Sequence, residues 1–503
     1  MTWRKLPLGA EHWQPLARNP LPYAGLVTSL AHEHSYPCEI QGALPDLEGT
    51  LYRVGPGRYD RGPDRKRMVL DGDGMVQGLT LSGGRATYRN RYVRTAKLLA
   101  EEAADRFLYP TFSTHGSGPL ALNLGLSLAN QANTTVIEWA GRVWAFDESH
   151  VPYELSREDL ATLGEHAPDP AHPKRRYWAH WKLDASHGQL HLLAIDQGRV
   201  PTAHITSYGL DGRVAGRLRV ALPRAVYFHD WFVTQHHFAF LLHPAFISFS
   251  KLFQVLIARE TFSEALAWRP ERGGLLFLVD RRDGATRGFA VSSCWMWHAI
   301  NGHETDGRLV LEFIGSSLGG GLGTDASPLF RLMRGEPVQM PPEPVNLIRR
   351  YTIDLSRGTL AETVLDARAN YELPSVSATE RGRRHTRAYM TEAAPGELFP
   401  RGLCQFDAAT GVCTTYRFGP DEFCSEPVFL DALTGDRGSY LMTQVYAAAQ
   451  RVSYFALFEE ARFAAGPIAR ILLRHHVPLS FHGYWAPART GREADGGRGP
   501  SAP

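Results

Sequence analysis

Short runs of four to eight apolar or alternating residues recur along this chain from about residue 50 to 485, each closed by a turn cluster. They include 51–54, 86–93, 135–139, 143–146, 190–195, 238–242, 275–279, 309–314, 347–353 and 440–445. Between them stand Ser82-Gly83-Gly84, Asp211-Gly212, Arg282-Asp283-Gly284 and Ala409-Thr410-Gly411. Runs of that length bounded by turn formers read as strands. Many short strands in one chain call for an all-β barrel, sandwich or propeller. At 503 residues with no break in composition, a propeller accommodates the length best. No WD or kelch signature recurs, so the reading rests on strand number and not on a repeat.

Three stretches depart from the strand pattern and set the expected boundaries. Residues 1–37 read as an irregular lead-in, 38–488 as a single domain, and 489–503 as a polar tail with nothing to bury. Within the domain, 244–265 read as a cap insertion rich in Phe, Leu and Ile. Its apolar stretch 246–257 is either a core helix or a patch that touches a membrane surface or admits a greasy substrate.

Composition narrows the function. With 54 Lys and Arg against 52 Asp and Glu, the net charge of +2 gives no case for nucleic acid. The five cysteines, Cys38, Cys294, Cys404, Cys413 and Cys424, are odd in number and form no C-x-x-C pair. That argues against a disulfide framework or thiolate metal site and for a reducing cytoplasm. The first residues lack the apolar core of a signal peptide, and no apolar run approaches the roughly 18–20 residues that span a bilayer. The expectation is a cytoplasmic protein, at most peripheral to a membrane.

Four of the 21 histidines stand out by their setting: His180 in W-A-H-W-K, His229 in Y-F-H-D-W, His298 in W-M-W-H-A and His482 in S-F-H-G-Y. An imidazole in such apolar company must find partners. One of them alone is best read as a core histidine bonded to a carbonyl; four together point to a metal site. Their separations of 49, 69 and 184 residues fit no helix or hairpin. A radial β-architecture, which presents one strand per blade to a common axis, does bring such positions together. Four neutral imidazoles suit iron, copper, nickel or zinc. Zinc with four histidines would be closed, whereas six-coordinate iron(II) keeps two positions for chemistry. Ring N–H groups on metal ligands need acceptors, and Glu148, Glu372 and Glu426 lie in apolar or Pro-marked contexts suited to that task.

These segments stand in a set that resembles the carotenoid cleavage oxygenases, which include stilbene-cleaving members and retinoid isomerases. The set runs in order: G-T-L-Y-R-V-G-P-G at 49–57, L-D-G-D-G-M-V at 70–76, Y-R-N-R-Y-V-R-T at 88–95 and A-N-T-T at 132–135. A-H-W-K-L-D at 179–184, H-D-W-F-V-T at 229–234, H-A-I-N-G-H-E at 298–304, S-E-P-V-F at 425–429 and F-H-G-Y-W at 481–485 complete it. The resemblance implies a seven-bladed β-propeller with a helical and loop cap over an axial Fe(2+) site held by the four histidines. It places Glu148, Glu372 and Glu426 behind the ligands, and Thr134 where a methyl group partly blocks the sixth coordination position. The implied reaction adds O2 across a C=C bond of a carotenoid or apocarotenoid and gives two carbonyl fragments.

Departures bear on the substrate. Asp147 precedes Glu148, where stilbene-cleaving members commonly carry a lysine for a phenolate; this lowers the stilbenoid or phenylpropanoid alternative. An isomerase or a non-catalytic propeller is more remote still. Side chains two apart on a strand share a face, so Trp178, Tyr227 and Met296 are expected to line the substrate tunnel beside His180, His229 and His298.

Overall fold

The computed structural model describes residues 21–125, 128–319, 327–433 and 437–488. Its seven sheets of four or more strands are the blades of a β-propeller. Blade 3 shows the plan in its simplest form. Lys182–Asp184, Gln189–Asp196, Thr202–Tyr208 and Val214–Ala221 follow one another outward as an antiparallel meander. The second strand is buried along most of its length, because both faces meet neighbouring blades, while the outermost alternates between half-buried and exposed. Continuous apolar runs and period-2 runs therefore mark different depths in one blade. The hairpin at Gly83-Gly84 turns with both residues at positive φ, 54° and 69°, as a two-residue loop between twisted strands requires.

The ring closes at two places. Gly483–Pro487 adds the inner strand to blade 1, pairing Leu51 with Trp485, although the rest of that blade comes from residues 34–92. Glu39–Gly42 adds the outer strand to blade 7, pairing Ile40 with Ile471. The expected boundary at residue 38 thus falls within paired structure. His34–Pro37 is already an outer strand of blade 1, with Tyr36 opposite the buried Tyr88, so the lead-in is shorter than the sequence pattern indicated. Residues 1–20 and the tail 489–503 lie outside the described residues.

Among the described residues helices are few and sit in the insertions: Ala96–Ala104, Leu120–Asn123, Phe249–Leu256 and Pro328–Met333. The first is capped by Thr95, whose side chain accepts from the Leu98 N–H, and ends at Asp105 in the left-handed region. The 244–265 stretch resolves into a strand, Ala245–Ile247, the helix Phe249–Leu256 and a 3-10 turn, Ser263–Ala265. Its apolar side chains divide between the interior and the surface. Val255 is buried, whereas Phe253 is 57% exposed.

Candidate metal centre

Each blade brings one candidate residue to the axial end of its inner strand. His482 immediately precedes Gly483–Pro487 in blade 1, and Thr134 precedes Thr135–Trp139 in blade 2. His180 and His229 stand a few residues before Lys182–Asp184 and Phe232–Val233 in blades 3 and 4. His298 and Glu372 lie within Trp295–Thr305 and Asn370–Ser375 in blades 5 and 6. Glu426 precedes Val428–Phe429 in blade 7. The wide sequence separations are therefore blade spacings.

The four imidazoles converge. Ring centroids of His180 lie 4.4, 5.3 and 4.8 Å from those of His229, His298 and His482, and His298 and His482 are 4.8 Å apart. Nitrogens of His180, His229 and His298 all fall within 4.8 Å of one another, and the His180 and His229 Nε2 atoms are 2.8 Å apart. Three rings are held from behind. His229 Nδ1 donates to Glu148 Oε1 at 3.0 Å, His298 Nδ1 to Glu372 Oε2 at 2.5 Å, and His482 Nδ1 to Glu426 Oε1 at 2.8 Å. An Nδ1–H bonded to a carboxylate leaves the Nε2 lone pair facing the axis, which is the tautomer a metal requires. His180 differs, since its nearest carboxylate oxygen, on Asp230, is 3.9 Å from Nδ1.

Electrostatics favour neutral donors at His180 and His298. Burial, followed by the neighbouring histidines, pushes the His180 and His298 imidazoles well below their ordinary range. For His229, burial acts in the same sense and is the largest single effect, but Glu148, Asp230 and Glu372 together outweigh it, so the net displacement is upward. Burial raises the Glu372 carboxyl to about 7. The His298 Nε2 is buried with no hydrogen-bond partner among the described residues. A buried, basic nitrogen left over after its ring has been oriented is what a coordinated cation satisfies, so the donor set fits a metal ion.

The glutamates are themselves fixed. Glu426 also accepts from the Gly483 N–H, and Glu372 from the Leu373 N–H. Glu148 also accepts the Tyr227 hydroxyl at 2.9 Å. Asp147 accepts from the N–H groups of Gln131 and Glu148 and pairs with His150 Nδ1 at 3.1 Å. Its carboxylate is thus committed to holding the loop that carries Glu148. Thr134 turns its hydroxyl to Asn133 Oδ1 at 3.1 Å. Its segment is pressed against Gly74, where a Cβ would stand 2.1 Å from the Ala132 carbonyl oxygen; only glycine permits that approach.

The tunnel expectation is corrected at two of its three positions. Tyr227 reaches the site through Glu148. Trp178 instead donates its indole N–H to the Phe228 carbonyl and packs in the core on Phe228. Met296 is fully buried between blades 4 and 5 among Phe232, Leu241 and Phe313. The alternation argument fails for physical reasons. His180 and His229 sit in loops ahead of their strands, and the strand bearing His298 shifts register between Met296 and Ala299. That shift brings Trp297, which the alternation passed over, edge-on to His229 at 4.9 Å. A tryptophan next to a candidate ligand was the available signal.

Comparison with known proteins gives the family and the fold. Residues 27–487 match the family described as retinal pigment epithelial membrane protein (RPE65). The apocarotenoid-15,15'-oxygenase of Synechocystis is 27% identical over 465 residues, covering 89% of this chain and 92% of its own. The isoeugenol monooxygenase of Pseudomonas nitroreducens and resveratrol cleavage oxygenase 1 of Aspergillus fumigatus are each 24% identical. Those two alignments cover 89% and 90% of this chain and 94% and 92% of theirs. Among solved structures, cobalt-substituted Synechocystis ACO superposes with a TM-score of 0.85 at 24% identity, covering 93% of this chain and 98% of that one.

Proposed function

The chain belongs to the retinal pigment epithelial membrane protein (RPE65) family of carotenoid cleavage oxygenases, and from that premise we propose that it is an iron(II) dioxygenase that splits a C=C bond of an apocarotenoid or carotenoid. One alkene and one O2 give two carbonyl fragments, with one oxygen atom in each. The observation that carries the reading is the convergence of His180, His229, His298 and His482, three of them backed by Glu148, Glu372 and Glu426.

Bound iron(II) supplies dioxygen activation; the remaining work belongs to the protein. His180, His229, His298 and His482 would hold the ion, and the glutamates keep three of the imidazoles in the ligating tautomer. Thr134, with its hydroxyl tied back to Asn133, is read as the residue that narrows the open coordination face. On the cap side, Trp297 stands against His229, Trp295 stacks on Tyr227 at 5.7 Å, and Phe112 lies 6.0 Å from Tyr227. This aromatic wall excludes water and presents a flat apolar surface to a polyene.

A second substrate class, a hydroxylated phenylpropanoid or stilbene, draws support from the isoeugenol- and resveratrol-cleaving relatives. It is disfavoured by Asp147, which offers no cation to a phenolate and is bound to His150. For an apocarotenoid, delivery calls for an apolar surface. Leu120, Leu124 and Phe253 are 64%, 49% and 57% exposed on two cap helices joined by the Gly125 N–H to Leu256 carbonyl bond at 3.0 Å. We read this patch as a transient membrane contact; no helix among the described residues is long and apolar enough to cross a membrane. Five free cysteines fit residence in the cytoplasm.

Incubation of the iron-loaded protein under air with apocarotenoids, carotenoids, isoeugenol and hydroxystilbenes, followed by aldehyde analysis, tests the assignment. Apocarotenoids are expected to yield a pair of carbonyl products. Turnover of the phenolic alkenes alone would overturn the substrate class, and no turnover by iron-replete protein would overturn the reaction.

A further inference from the structure

A cavity of about 110 Å³ continues from the histidines along the propeller axis, between the inner strands, and is lined by Trp181, Lys182, Asp230, Ser375 and Arg381 among others. Two of its donors have nothing to donate to. The Trp181 indole Nε1 is buried with no hydrogen-bond partner among the described residues. The Arg381 guanidinium lies 5.6 Å above the Trp181 ring centroid and makes no hydrogen bond or ion pair among the described residues. Its position is set by the backbone, since its carbonyl accepts from the Ala185 N–H at 3.0 Å.

The nearby carboxylates are already engaged. Asp230 pairs with Lys182 at 2.6 Å and accepts from the Trp231 and Ala299 N–H groups. Glu426 is held by His482 and Gly483. Asp431 accepts from the Ser377 hydroxyl and from the N–H groups of Ala378 and Gly438. Lys182 thus has a direct ion-pair partner, whereas Arg381 feels Asp431 and Glu426 only through space. A guanidinium and an indole N–H, both donor-only and both on residues that line one small space, call for a compact acceptor that carries negative charge.

We propose that the axial cavity binds a small monovalent anion of halide or carboxylate type between the Arg381 guanidinium and the Trp181 indole N–H. The volume readily admits a halide, formate or bicarbonate together with water. None of Phe112, Tyr227, Trp295 and Trp297 lines this cavity, so its occupant is distinct from the alkene substrate.

The test uses the full-length, iron-loaded protein crystallised in sodium bromide and sodium formate in parallel. An anomalous bromide peak within hydrogen-bond reach of both Arg381 and Trp181 is expected, displaced by formate. In solution, bromide line broadening in NMR should report the same site, with competition by formate and by bicarbonate separating the two acids. Arg381→Gln should weaken bromide at least about tenfold, the scale of a lost charge-assisted hydrogen bond, and Arg381→Lys should restore part of it. Trp181→Phe, which keeps the ring and removes the N–H, should weaken binding less, and it decides between the outcomes if Arg381→Gln does not fold. Bromide found only at the histidines, water alone in the cavity, or unchanged broadening in folded Arg381→Gln or Trp181→Phe would each overturn the proposal.

Discussion

The Tyr227 hydroxyl and the His229 Nδ1 meet at one atom, Glu148 Oε1, at 2.9 and 3.0 Å. Burial, then the adjacent Glu148 carboxylate, holds the phenol of Tyr227 protonated well above its ordinary range, so it remains a donor. One side chain thereby fixes the glutamate behind a metal ligand and forms part of the aromatic wall.

Those two roles separate by substitution. Tyr227→Phe keeps the ring and removes the hydrogen bond. Metal affinity in chelator competition is expected to fall about tenfold, the low end for lost support of a ligand, with the product pattern intact. Tyr227→Ala opens the wall above Trp295 and should shift which double bond is cut. Equal iron affinity in wild type and Tyr227→Phe would remove the positioning role.

The ligands and their supports should differ in kind. His229→Ala or His298→Ala breaks the donor set, and metal analysis should find sub-stoichiometric iron and no turnover. Glu372→Gln and Glu426→Gln leave the ligand in place and weaken its orientation, a loss of about 10–100-fold in affinity or rate. If His229→Ala retained full iron occupancy, the centre would lie elsewhere.

Much of this centre was legible because each histidine and glutamate stands in an apolar or Pro-marked segment, where a polar side chain needs a reason to be. The seven-blade count came from family resemblance, since the blades share no residue pattern of their own. Closure of the ring was hidden, because Leu51 and Trp485 are brought together only by the whole circuit. Trp178 and Met296 misled for a local reason: alternation holds only along continuous regular strand, and Trp178 ends its strand before the loop that carries His180, while a bulge follows Met296. Donors without acceptors, such as Trp181 Nε1, become visible only once neighbours are known.

The exposed cap patch makes a separable prediction. Phe253→Ser together with Leu120→Ser alters side chains that are 57% and 64% exposed, so the fold should persist. Each large apolar side chain moved from water into lipid contributes roughly 1.5–3 kcal/mol, so liposome co-sedimentation should drop well over tenfold. Turnover of detergent-solubilised substrate should be unchanged. Undiminished liposome binding by the folded double variant would rule the patch out as a membrane contact.

Acid sensitivity follows from histidines buried as neutral groups away from the axis. His243 is fully buried, with its Nδ1–H donating to the Cys294 carbonyl at 2.9 Å, and burial takes its imidazole down to about 4. His191, also fully buried, falls to about 4 by burial, a displacement that Asp184 opposes and Arg281 reinforces. In the unfolded chain both titrate near 6.5. Between those values the unfolded state binds the protons and the folded state does not, so stability is complete above about pH 6.5 and declines as pH falls toward 4. Each such group contributes about 1.4 kcal/mol per pH unit within that window. The axial histidines titrate as well, so the informative quantity is the difference between variants of the metal-free chain. His243→Gln keeps a donor for the Cys294 carbonyl and removes one titrating proton. Its urea midpoint should lie below that of wild type at pH 7.5, with the gap narrowing by pH 5. A gap that stays constant across that range would show that His243 does not remain neutral in the folded protein.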